Sequence, residues 1–332
     1  MIQSVIAGTG HYVPERCVTN AQLALQVNSD AQWISTRTGI EQRYYAAADE
    51  TTSSMGAHAA RAALKDANLQ PTDLDAIIFA TLSPDVAFPG CGVFLQRELG
   101  LRDIPALDVR NQCSGYLYAL SIAHAWIQTG MYNTILIVGS EIHSAGLDFS
   151  PKGRDITVLF GDGAGAVILS AADEASSHRG VLDVRLGADG EGAENLWCEV
   201  PGSLHKPHID VALLRARKQF PQMRGRAVFR HAVTVLQREL TALLETHQLD
   251  PNEIILVPHQ ANMRINEMLG QQLQIPQSQI VHTISQFGNT TAASIPMALD
   301  CARKQGLIQP ETMIVHAAFG SGFTWGTALV RW

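Results

Sequence analysis

The stretch Pro105-Ala-Leu-Asp-Val-Arg-Asn-Gln-Cys-Ser-Gly-Tyr-Leu-Tyr-Ala-Leu120 joins a short apolar run to a helical pattern, and a cysteine stands between the two. Residues 106–109 predict a buried strand, and the residues after Ser114 repeat apolar side chains with the 3.6-residue period of a helix. Cys113 therefore lies at a strand-to-helix corner, where free N–H groups and the helix dipole favour an anion. We expect this position to lower the pKa of the thiol and to make a nucleophile, although an inert buried cysteine fits the same stretch.

The order of elements around this corner occurs a second time, which indicates an α/β fold made of two similar halves. In the first half we predict the strands 76–80, 106–109 and 134–138 and the helices 94–99 and 116–128. In the second half we predict the strands 254–257, 279–283 and 313–315 and the helices 262–273 and 292–304. We expect the halves at 1–172 and 173–332, with a variable segment at 187–225 in the second.

Each half carries a polar residue at the same kind of corner. Cys113 precedes the first of these helices, and Asn289 precedes its counterpart in the second half. Two halves packed with pseudo-symmetry would bring these two residues together. The repeat therefore favours a reactive Cys113 over an inert one.

A histidine follows the first strand of the second half, in Val257-Pro-His-Gln-Ala-Asn262. A neutral imidazole at His259, near a helix N-terminus, can donate an N–H to a carbonyl, or it can simply cap the helix. Asn289 can likewise cap a helix or donate its amide to an anionic oxygen. Cysteine, histidine and asparagine at such corners suit acyl transfer, with the acyl group on the thiol and the other two stabilising an enolate.

Composition narrows the class of protein. The chain has 332 residues, of which 46% are hydrophobic and 17% charged, as in well-packed globular enzymes. A net charge of −7 argues against a general role in nucleic-acid binding, and no apolar run approaches the length of a membrane span. The five cysteines lack paired spacing, so we expect neither a disulfide framework nor a metal site, and we expect the cytoplasm as the compartment.

Several motifs in order resemble the beta-ketoacyl-acyl carrier protein synthase III family of the thiolase superfamily. The matching segments span nearly the whole chain: Trp33 to Ile40, Cys113 to Gly115, Phe160 to Gly165, His259 to Asn262, Gly288 to Ser294 and Phe319 to Gly326. The resemblance implies a thiolase-like, five-layered α-β-α-β-α fold and a homodimer. It also implies a decarboxylating condensation of an acyl-CoA primer with malonyl-acyl carrier protein, with no cofactor besides these substrates.

The resemblance assigns catalytic roles to matching residues. Cys113 would carry the acyl group, and His259 and Asn289 would hold the malonyl thioester oxygen as carbon dioxide leaves. The N–H groups of Cys113 and of the glycine-rich loop at Ser321 would form the oxyanion hole. Phe319 would line the malonyl side and favour decarboxylation.

The resemblance also assigns substrate-binding positions. Trp33 and Arg37 would grip the adenine and pantetheine end of CoA, with Lys152 where the family often has arginine. Asn262 would organise water and substrate near the histidine, and Arg264 would meet the phosphate of an acidic acyl carrier protein.

Two related groups of enzymes differ from this chain at the motif residues. Degradative and biosynthetic thiolases use a second cysteine in the terminal glycine-rich loop, which has none here, and chain-elongating synthases use a second histidine where this chain has Asn289. A non-decarboxylating acyltransferase and a silent acyl-CoA-binding subunit stay open as alternatives.

Some features depart from the family pattern or match no motif. The segment 197–223 is longer and more basic than usual, and with its flank it contains Arg215, Arg217, Lys218, Arg224, Arg226 and Arg230. This cluster is either a solvated surface or a site for an acidic carrier protein or CoA phosphates. We interpret the glycines of 161–165 as backbone packing and Asp162 as a turn acceptor. We interpret as ordinary polar residues His11, His58, His124, His143 and His178.

Overall fold

The computed structural model describes residues 2–174, 176 and 178–332. The strands are β1 (Ser4–Tyr12), β2 (Arg16–Thr19), β3 (Gln42–Tyr45), β4 (Ala76–Ala80), β5 (Ala106–Val109), β6 (Thr134–Glu141), β7 (Gly163–Ala171), β8 (Gly180–Ala188), β9 (Leu196–Trp197), β10 (Gln222–Met223), β11 (Ile254–Pro258), β12 (Met313–Gly320) and β13 (Thr324–Arg331). The helices are α1 (Asn20–Val27), α2 (Ala31–Thr38), α3 (Thr52–Ala67), α4 (Cys91–Glu98), α5 (Gly115–Gln128), α6 (Arg154–Thr157), α7 (Val211–Arg215), α8 (Gly225–His247), α9 (Met263–Leu273), α10 (Ile284–Phe287) and α11 (Ser294–Lys304).

Two mixed sheets form the frame of the molecule. The first has the strand order β1-β7-β6-β4-β5, in which β4 runs parallel to both β5 and β6. The second has the order β11-β12-β13-β8, in which β11 and β12 are parallel and the other pairs antiparallel. The strands of the first sheet lie within residues 4–171 and those of the second within 180–331.

Helices fill the space between the sheets and cover their outer faces. Helix α5 contacts strands of both sheets, and so does α11, so these two apolar helices form a central layer. Helices α3 and α4 pack on the outer face of the first sheet, and α8 and α9 pack on that of the second. The predicted five-layered α-β-α-β-α fold is therefore confirmed. The division of the chain at residues 172 and 173 stays a prediction.

The strand before Cys113 differs from the expectation in its burial. Strand β5 forms at the predicted residues, but it pairs only with β4 and lies at the edge of the first sheet. Leu107 is 36% exposed as a result. The expected buried strand is thus wrong in burial, because no second strand in the described part of the chain pairs with β5.

The predicted strand 279–283 is also wrong, since only one bridge joins Ile280 to Leu256. The side chain of Gln260 takes the place of a neighbouring strand. Its amide donates to the carbonyl of Val281 at 3.0 Å, and its oxygen accepts the N–H of Thr283 at 2.9 Å. The chain can therefore leave the sheet here and enter α10 without unpaired backbone groups.

Candidate active site

The repeat brings two similar turns together at the centre of the molecule. A short 3-10 turn over Gln112–Ser114 precedes α5, and another over Thr291–Ala293 precedes α11. Gln112 has a φ of 42° and Thr291 a φ of 50°, so the two turns share an unusual left-handed residue at the same position. A Cβ atom on Gly115 would lie 3.5 Å from the Cβ of Ala292, which shows that the turns face each other.

This register corrects one prediction. The residue that corresponds to Cys113 in the second turn is Ala292, because Gln112 corresponds to Thr291. Asn289 lies three residues earlier, at the approach to the turn. Cys113 and Asn289 are therefore not equivalent positions, although both belong to facing corners.

Cys113 is a buried thiol that backbone N–H groups surround. Its own N–H and that of Ser321 form hydrogen bonds to the sulfur. A Cβ atom at position 320 would lie 2.9 Å from the Cβ of Cys113, so glycine is needed for this approach. Burial raises the pKa of the thiol to about 12, and the carboxyl of Glu141 adds to the rise. The expectation of a lowered pKa is wrong, because removal from water outweighs the N–H groups.

The glycine-rich loop is tied to the Cys113 corner by side chains. The hydroxyl of Thr324 donates to the carbonyl of Ser321 at 3.1 Å and lies 2.8 Å from that of Ser114. The hydroxyl of Ser321 donates to the carbonyl of Leu196. These bonds hold the N–H of Ser321 on the sulfur. Phe319, at the end of β12, is buried and packs 4.8 Å from the ring of Phe323.

His259 presents an unpaired ring nitrogen. Its Nδ1 lies 2.6 Å from the hydroxyl oxygen of Ser294, and the N–H of Gln260 donates to that oxygen at 3.4 Å. Since the serine oxygen accepts this N–H, its own hydroxyl hydrogen can be donated to Nδ1 of His259. Nδ1 is then an acceptor, and the single proton of the neutral ring is assigned to Nε2. That Nε2 is buried and has no partner among the described residues. Burial lowers the pKa of the ring to about 3, so His259 is a neutral donor at pH 7.

Asn289 presents an amide in a similar way. Its side-chain oxygen accepts the N–H of Thr291 at 2.9 Å. Its backbone N–H donates to the carbonyl of Leu159, and its carbonyl accepts the N–H of Gly161, at 2.9 and 3.1 Å. The amide nitrogen has no hydrogen-bond partner among the residues that the structure describes. Asn289 is thus a rigid, buried residue with its donor uncommitted.

The glycine-rich run beside Asn289 is backbone packing, as predicted. A Cβ at position 161 would lie 2.3 Å from the carbonyl oxygen of Phe287, and one at position 165 would lie 2.7 Å from the nitrogen of Met297. Asp162 is an acceptor, as predicted, but the prediction of a turn is wrong, because its partners are N–H groups of distant segments. It receives the N–H groups of His143 at 2.7 Å and Ala46 at 2.8 Å.

A cavity of about 780 Å³ opens on Cys113. Besides Cys113, its wall includes Leu82, Ser83, Ile142, His143, Leu147, Phe160, Leu196, Trp197, Val200, Thr291 and Ser321. His143, which matches no motif, also lines this cavity. It follows the end of β6, which puts it at the same edge of the sheet as the Cys113 corner.

Glu141 is a second buried group that the motifs did not indicate. Its carboxylate accepts bonds from both the N–H and the hydroxyl of Ser83, from the hydroxyl of Thr81 and from the N–H of Ala292. It therefore joins the first half to the second turn. The sequence feature that could have indicated Glu141 is its position as a charged residue at the end of the largely apolar strand β6.

Replacing Glu141 by glutamine is expected to flatten the dependence of stability on pH between 4.5 and about 7. Burial raises the pKa of this carboxyl from 4.5 to about 7, so its contribution is complete below pH 4.5 and is lost as the pH rises through 7. Over this window the wild type should lose roughly 3 kcal/mol of unfolding free energy relative to the variant. Urea unfolding at both ends of the window measures this, and parallel pH profiles would contradict it.

Around Trp33 the structure differs from the expected set of cations. The guanidinium of Arg154 lies 4.7 Å and that of Arg37 5.2 Å from the ring centre. Lys152 is exposed and lines a separate depression with Arg217. Arg154, two residues further along, therefore takes the place expected for Lys152 as the second cation on this ring, beside Arg37.

Asn262 and Arg264 lie at the start of α9. The side chain of Asn262 accepts the N–H of Arg264 at 3.0 Å and donates to the carbonyl of Arg37 at 3.1 Å. It thus caps α9 and ties it to α2. Arg264 is exposed, with its guanidinium 5.8 Å from the ring of Phe229. Their assigned substrate contacts stay predictions.

The basic segment separates into two groups. Arg217 pairs with Asp148, and Lys218 pairs with Glu199 at 2.6 Å. A different depression lies at the start of α8 and is lined by Arg224, Gly225, Arg226, Ala227 and Arg230. The three arginines therefore form one cationic surface, and Arg217 and Lys218 do not belong to it.

The described part of the chain has neither a metal-binding cluster nor a membrane-spanning helix. Within residues 2–174, 176 and 178–332, no group of three or more His, Cys, Asp or Glu side chains could hold a metal ion. In the same residues, no helix has the length and apolar character needed to cross a bilayer.

Two family models and a relative of known name match this chain. Models of 3-oxoacyl-[acyl-carrier-protein] synthase III and of its C-terminal part match residues 107–190 and 244–332. The chain is 42% identical over 330 residues to the beta-ketoacyl-[acyl-carrier-protein] synthase III of Methylococcus capsulatus, with 99% of each chain covered.

Solved structures give the same result. The 3-oxoacyl-[acyl-carrier-protein] synthase III of Aquifex aeolicus superposes with a TM-score of 0.89 at 37% identity, over 99% of this chain and 100% of that one. The priming beta-ketosynthase of a polyketide biosynthetic pathway superposes with a TM-score of 0.90 at 31% identity, over 99% and 96%. The chain therefore belongs to the 3-oxoacyl-[acyl-carrier-protein] synthase III family.

Proposed function

We propose that the chain is an acyltransferase that condenses an acyl-CoA primer with malonyl-acyl carrier protein and releases carbon dioxide. The product is a 3-oxoacyl-acyl carrier protein, at the start of fatty-acid synthesis or a related pathway. One observation carries the proposal. A buried thiol with two N–H groups on its sulfur opens into a cavity, and two uncommitted donors lie in the second half, on Asn289 at the facing corner and on His259 after β11.

In the first half-reaction the sulfur of Cys113 attacks the carbonyl carbon of the acyl-CoA thioester. The N–H groups of Cys113 and Ser321 bind the oxyanion of the tetrahedral intermediate. The C–S bond to CoA then breaks, and the thiol proton ends on the leaving CoA sulfur. Because the resting thiol is protonated, these N–H groups contribute most as the sulfur loses its proton and the oxyanion forms.

In the second half-reaction the malonyl thioester loses carbon dioxide and its electron pair remains as an enolate. Nε2–H of His259 and the amide of Asn289 donate to the enolate oxygen. The enolate carbon attacks the acyl carbon on Cys113, the bond from that carbon to the cysteine sulfur breaks, and the thiolate that leaves takes up a proton from water. Both donors are held before substrate arrives, so little reorganisation is needed.

The experiment that tests this function is mass spectrometry of the protein after incubation with acyl-CoA thioesters of graded length, together with measurement of carbon dioxide from malonyl-acyl carrier protein. We expect one acyl mass on Cys113 and release of carbon dioxide. An adduct without carbon dioxide would support a non-decarboxylating acyltransferase. Absence of an adduct with every primer would support a silent binding subunit.

We propose Trp33 as the binding surface for the adenine of CoA. A planar base can stack on this ring, and the guanidinium groups of Arg37 and Arg154 are close enough to neutralise CoA phosphates. No cofactor besides the two thioester substrates takes part in the proposed steps.

We propose that an acidic acyl carrier protein binds the cationic surface of Arg224, Arg226 and Arg230, with Arg264 nearby on α9. The double change Arg224→Glu and Arg226→Glu is expected to raise KM for malonyl-acyl carrier protein about tenfold, since each arginine is exchanged for a repelling charge. Acylation by acyl-CoA should change little. Arg215→Glu, on the same segment but outside this surface, is the matched control. An equal KM in the double variant and the wild type would contradict the proposal.

We propose that the chain forms a homodimer through the edge strand β5. The loop before α4 lies against this strand, since a Cβ at position 90 would meet the carboxyl of Asp108. Phe88 in this loop is 86% exposed, and Leu107 and Val93 are also exposed. Such an apolar edge favours pairing with a second copy. Light scattering tests this, and the mass of a single 36.0 kDa chain would contradict it.

We propose the cytoplasm as the compartment. All five cysteines are free thiols, which is usual for proteins of reducing compartments.

A further inference from the structure

The cavity that opens on Cys113 contains a buried imidazole that the proposed mechanism does not use. His143 lines this cavity and is 8% exposed. Its Nε2 lies 2.6 Å from the hydroxyl oxygen of Thr291, and its ring packs 4.6 Å from the ring of Phe160. Its Nδ1 has no hydrogen-bond partner among the described residues and, unlike Nε2 of His259, is not sealed from solvent. This nitrogen is therefore open to the cavity.

The ring is held in one orientation. The carboxylate of Asp162 accepts the N–H groups of His143 and Ser144 at 2.7 and 2.9 Å, which fixes the backbone. Thr291 and Phe160 then fix the side chain from two directions. Burial lowers the pKa of His143 to about 3, so the group is a neutral imidazole at physiological pH. A neutral ring in a fixed position can recognise a dipole and cannot balance a carboxylate.

Three other polar groups of the wall are occupied within the protein, whereas the side-chain oxygen of Gln219, which also lines the cavity, is buried and has no partner among the described residues. The carboxylate of Glu50 accepts the N–H of Ala47 at 2.7 Å, and that of Asp85 accepts the N–H of Ser53 at 2.9 Å. The hydroxyl of Ser83 is bound to Glu141 at 2.6 Å. The remaining wall near His143 is largely apolar, with Leu82, Ile142, Leu147 and Phe160. A plain alkyl chain in this space would leave Nδ1 without a partner.

On the basis of the proposed function, we propose that the preferred primer is an acyl thioester whose chain carries a hydroxyl group, bound at Nδ1 of His143. A hydroxyl group can both donate and accept, so it pairs with Nδ1 in either tautomer that the bond to Thr291 allows. A carbonyl substituent would pair with only one of them. Because a site that hydrogen-bonds a substrate hydroxyl discriminates against the analogue without it, His143 determines specificity for the primer.

The test compares acyl-CoA thioesters of equal chain length. Hexanoyl-CoA and hexanoyl-CoA with a hydroxyl at carbon 3, 4 or 5 are incubated with the wild-type chain, and the rate of adduct formation on Cys113 is followed by mass spectrometry. We expect at least one hydroxylated thioester to acylate the protein about tenfold faster than hexanoyl-CoA. His143→Leu should bring that ratio close to one while hexanoyl-CoA still acylates the protein.

Controls separate this inference from the proposed function. His124→Leu makes the same change outside the cavity, at a residue bound to Ser4, and should keep the wild-type ratio. His143→Gln should keep part of the preference because it retains a hydrogen-bonding group. Equal rates for hexanoyl-CoA and every hydroxylated thioester would overturn the inference alone. Absence of an adduct with every thioester would overturn the proposed function and the inference together.

Discussion

Replacing Cys113 by alanine is expected to abolish the acyl-enzyme and to lower condensation by at least about 10³-fold, since the nucleophile is removed from a set of groups that act together. Release of carbon dioxide from the malonyl thioester should persist, because the donors that stabilise the enolate belong to the second half of the chain. The two readouts are the mass of the protein after incubation with acyl-CoA and the carbon dioxide released from malonyl-acyl carrier protein.

Cys198→Ala is the matched control for this prediction. Cys198 is another thiol in the wall of the same cavity, and its side chain faces the carbonyls of Val200 and Gln219. This variant should form the adduct as the wild type does. An acyl mass on the Cys113→Ala protein would show that another group carries the acyl chain and would contradict the assignment.

Replacing His259 or Asn289 by alanine is expected to have the opposite pattern of effects. Acylation of Cys113 should persist, while release of carbon dioxide should fall by about 10² to 10³-fold for each change, as when one donor to a developing oxyanion is lost. Asn289→Asp should lower the release of carbon dioxide at least as much as the alanine change does. A carboxylate cannot donate a hydrogen bond to the enolate oxygen, and its negative charge repels it. Stopped-time assays of the adduct and of carbon dioxide measure the two steps separately.

A control and an intermediate case sharpen this second prediction. Asn252→Ala removes an exposed amide from a surface turn and should leave both steps unchanged. Ser294→Ala should lower decarboxylation less than His259→Ala does, since it removes only the bond that sets the tautomer. A loss of acylation equal to the loss of carbon dioxide in the His259 variant would contradict the separation of roles.

The two similar halves could be predicted because the same order of strands and helices occurs twice, each time with an apolar helix after its corner. The five layers followed only from the family resemblance. The sequence could not indicate where sheet pairing stops. The predicted strand 279–283 is apolar in the right places, but its backbone is satisfied by the side chain of Gln260, and periodicity does not report such a partner.

The residues with a motif were easier to find than the residues that position them. Cys113, His259 and Asn289 stand next to recognisable turns. Ser294 and Glu141 act through contacts between distant segments of the chain, at sequence separations of 35 and 58 to 60 residues in the hydrogen bonds they make. No local pattern marks such contacts.

The raised pKa of Cys113 and the register of Asn289 were missed for different reasons. A helix N-terminus is visible in sequence, whereas the depth of a side chain below the surface depends on the second half of the chain. The predicted equivalence of Cys113 and Asn289 is wrong because each is the polar residue before its helix, but they stand at different distances from the start of their turns. The left-handed backbone conformation at Gln112 and Thr291 shows which residues correspond, and this conformation cannot be predicted from the amino-acid sequence of the two turns.

The close packing of the two facing turns also limits which side chains can stand between the catalytic groups. Gly115 and Ala292 are the small residues at the contact, and a Cβ added at 115 would stand 3.2 Å from Ala80 and 3.5 Å from Ala292. Neither side chain takes part in the reaction. Their small size sets how closely the two turns pack, and therefore the distance between the sulfur of Cys113 and the donors of the second half. Substitutions in the cavity wall can change which primer binds without moving the catalytic groups. A bulkier side chain at position 115 or 292 would instead move the thiol away from the donors and impair both half-reactions.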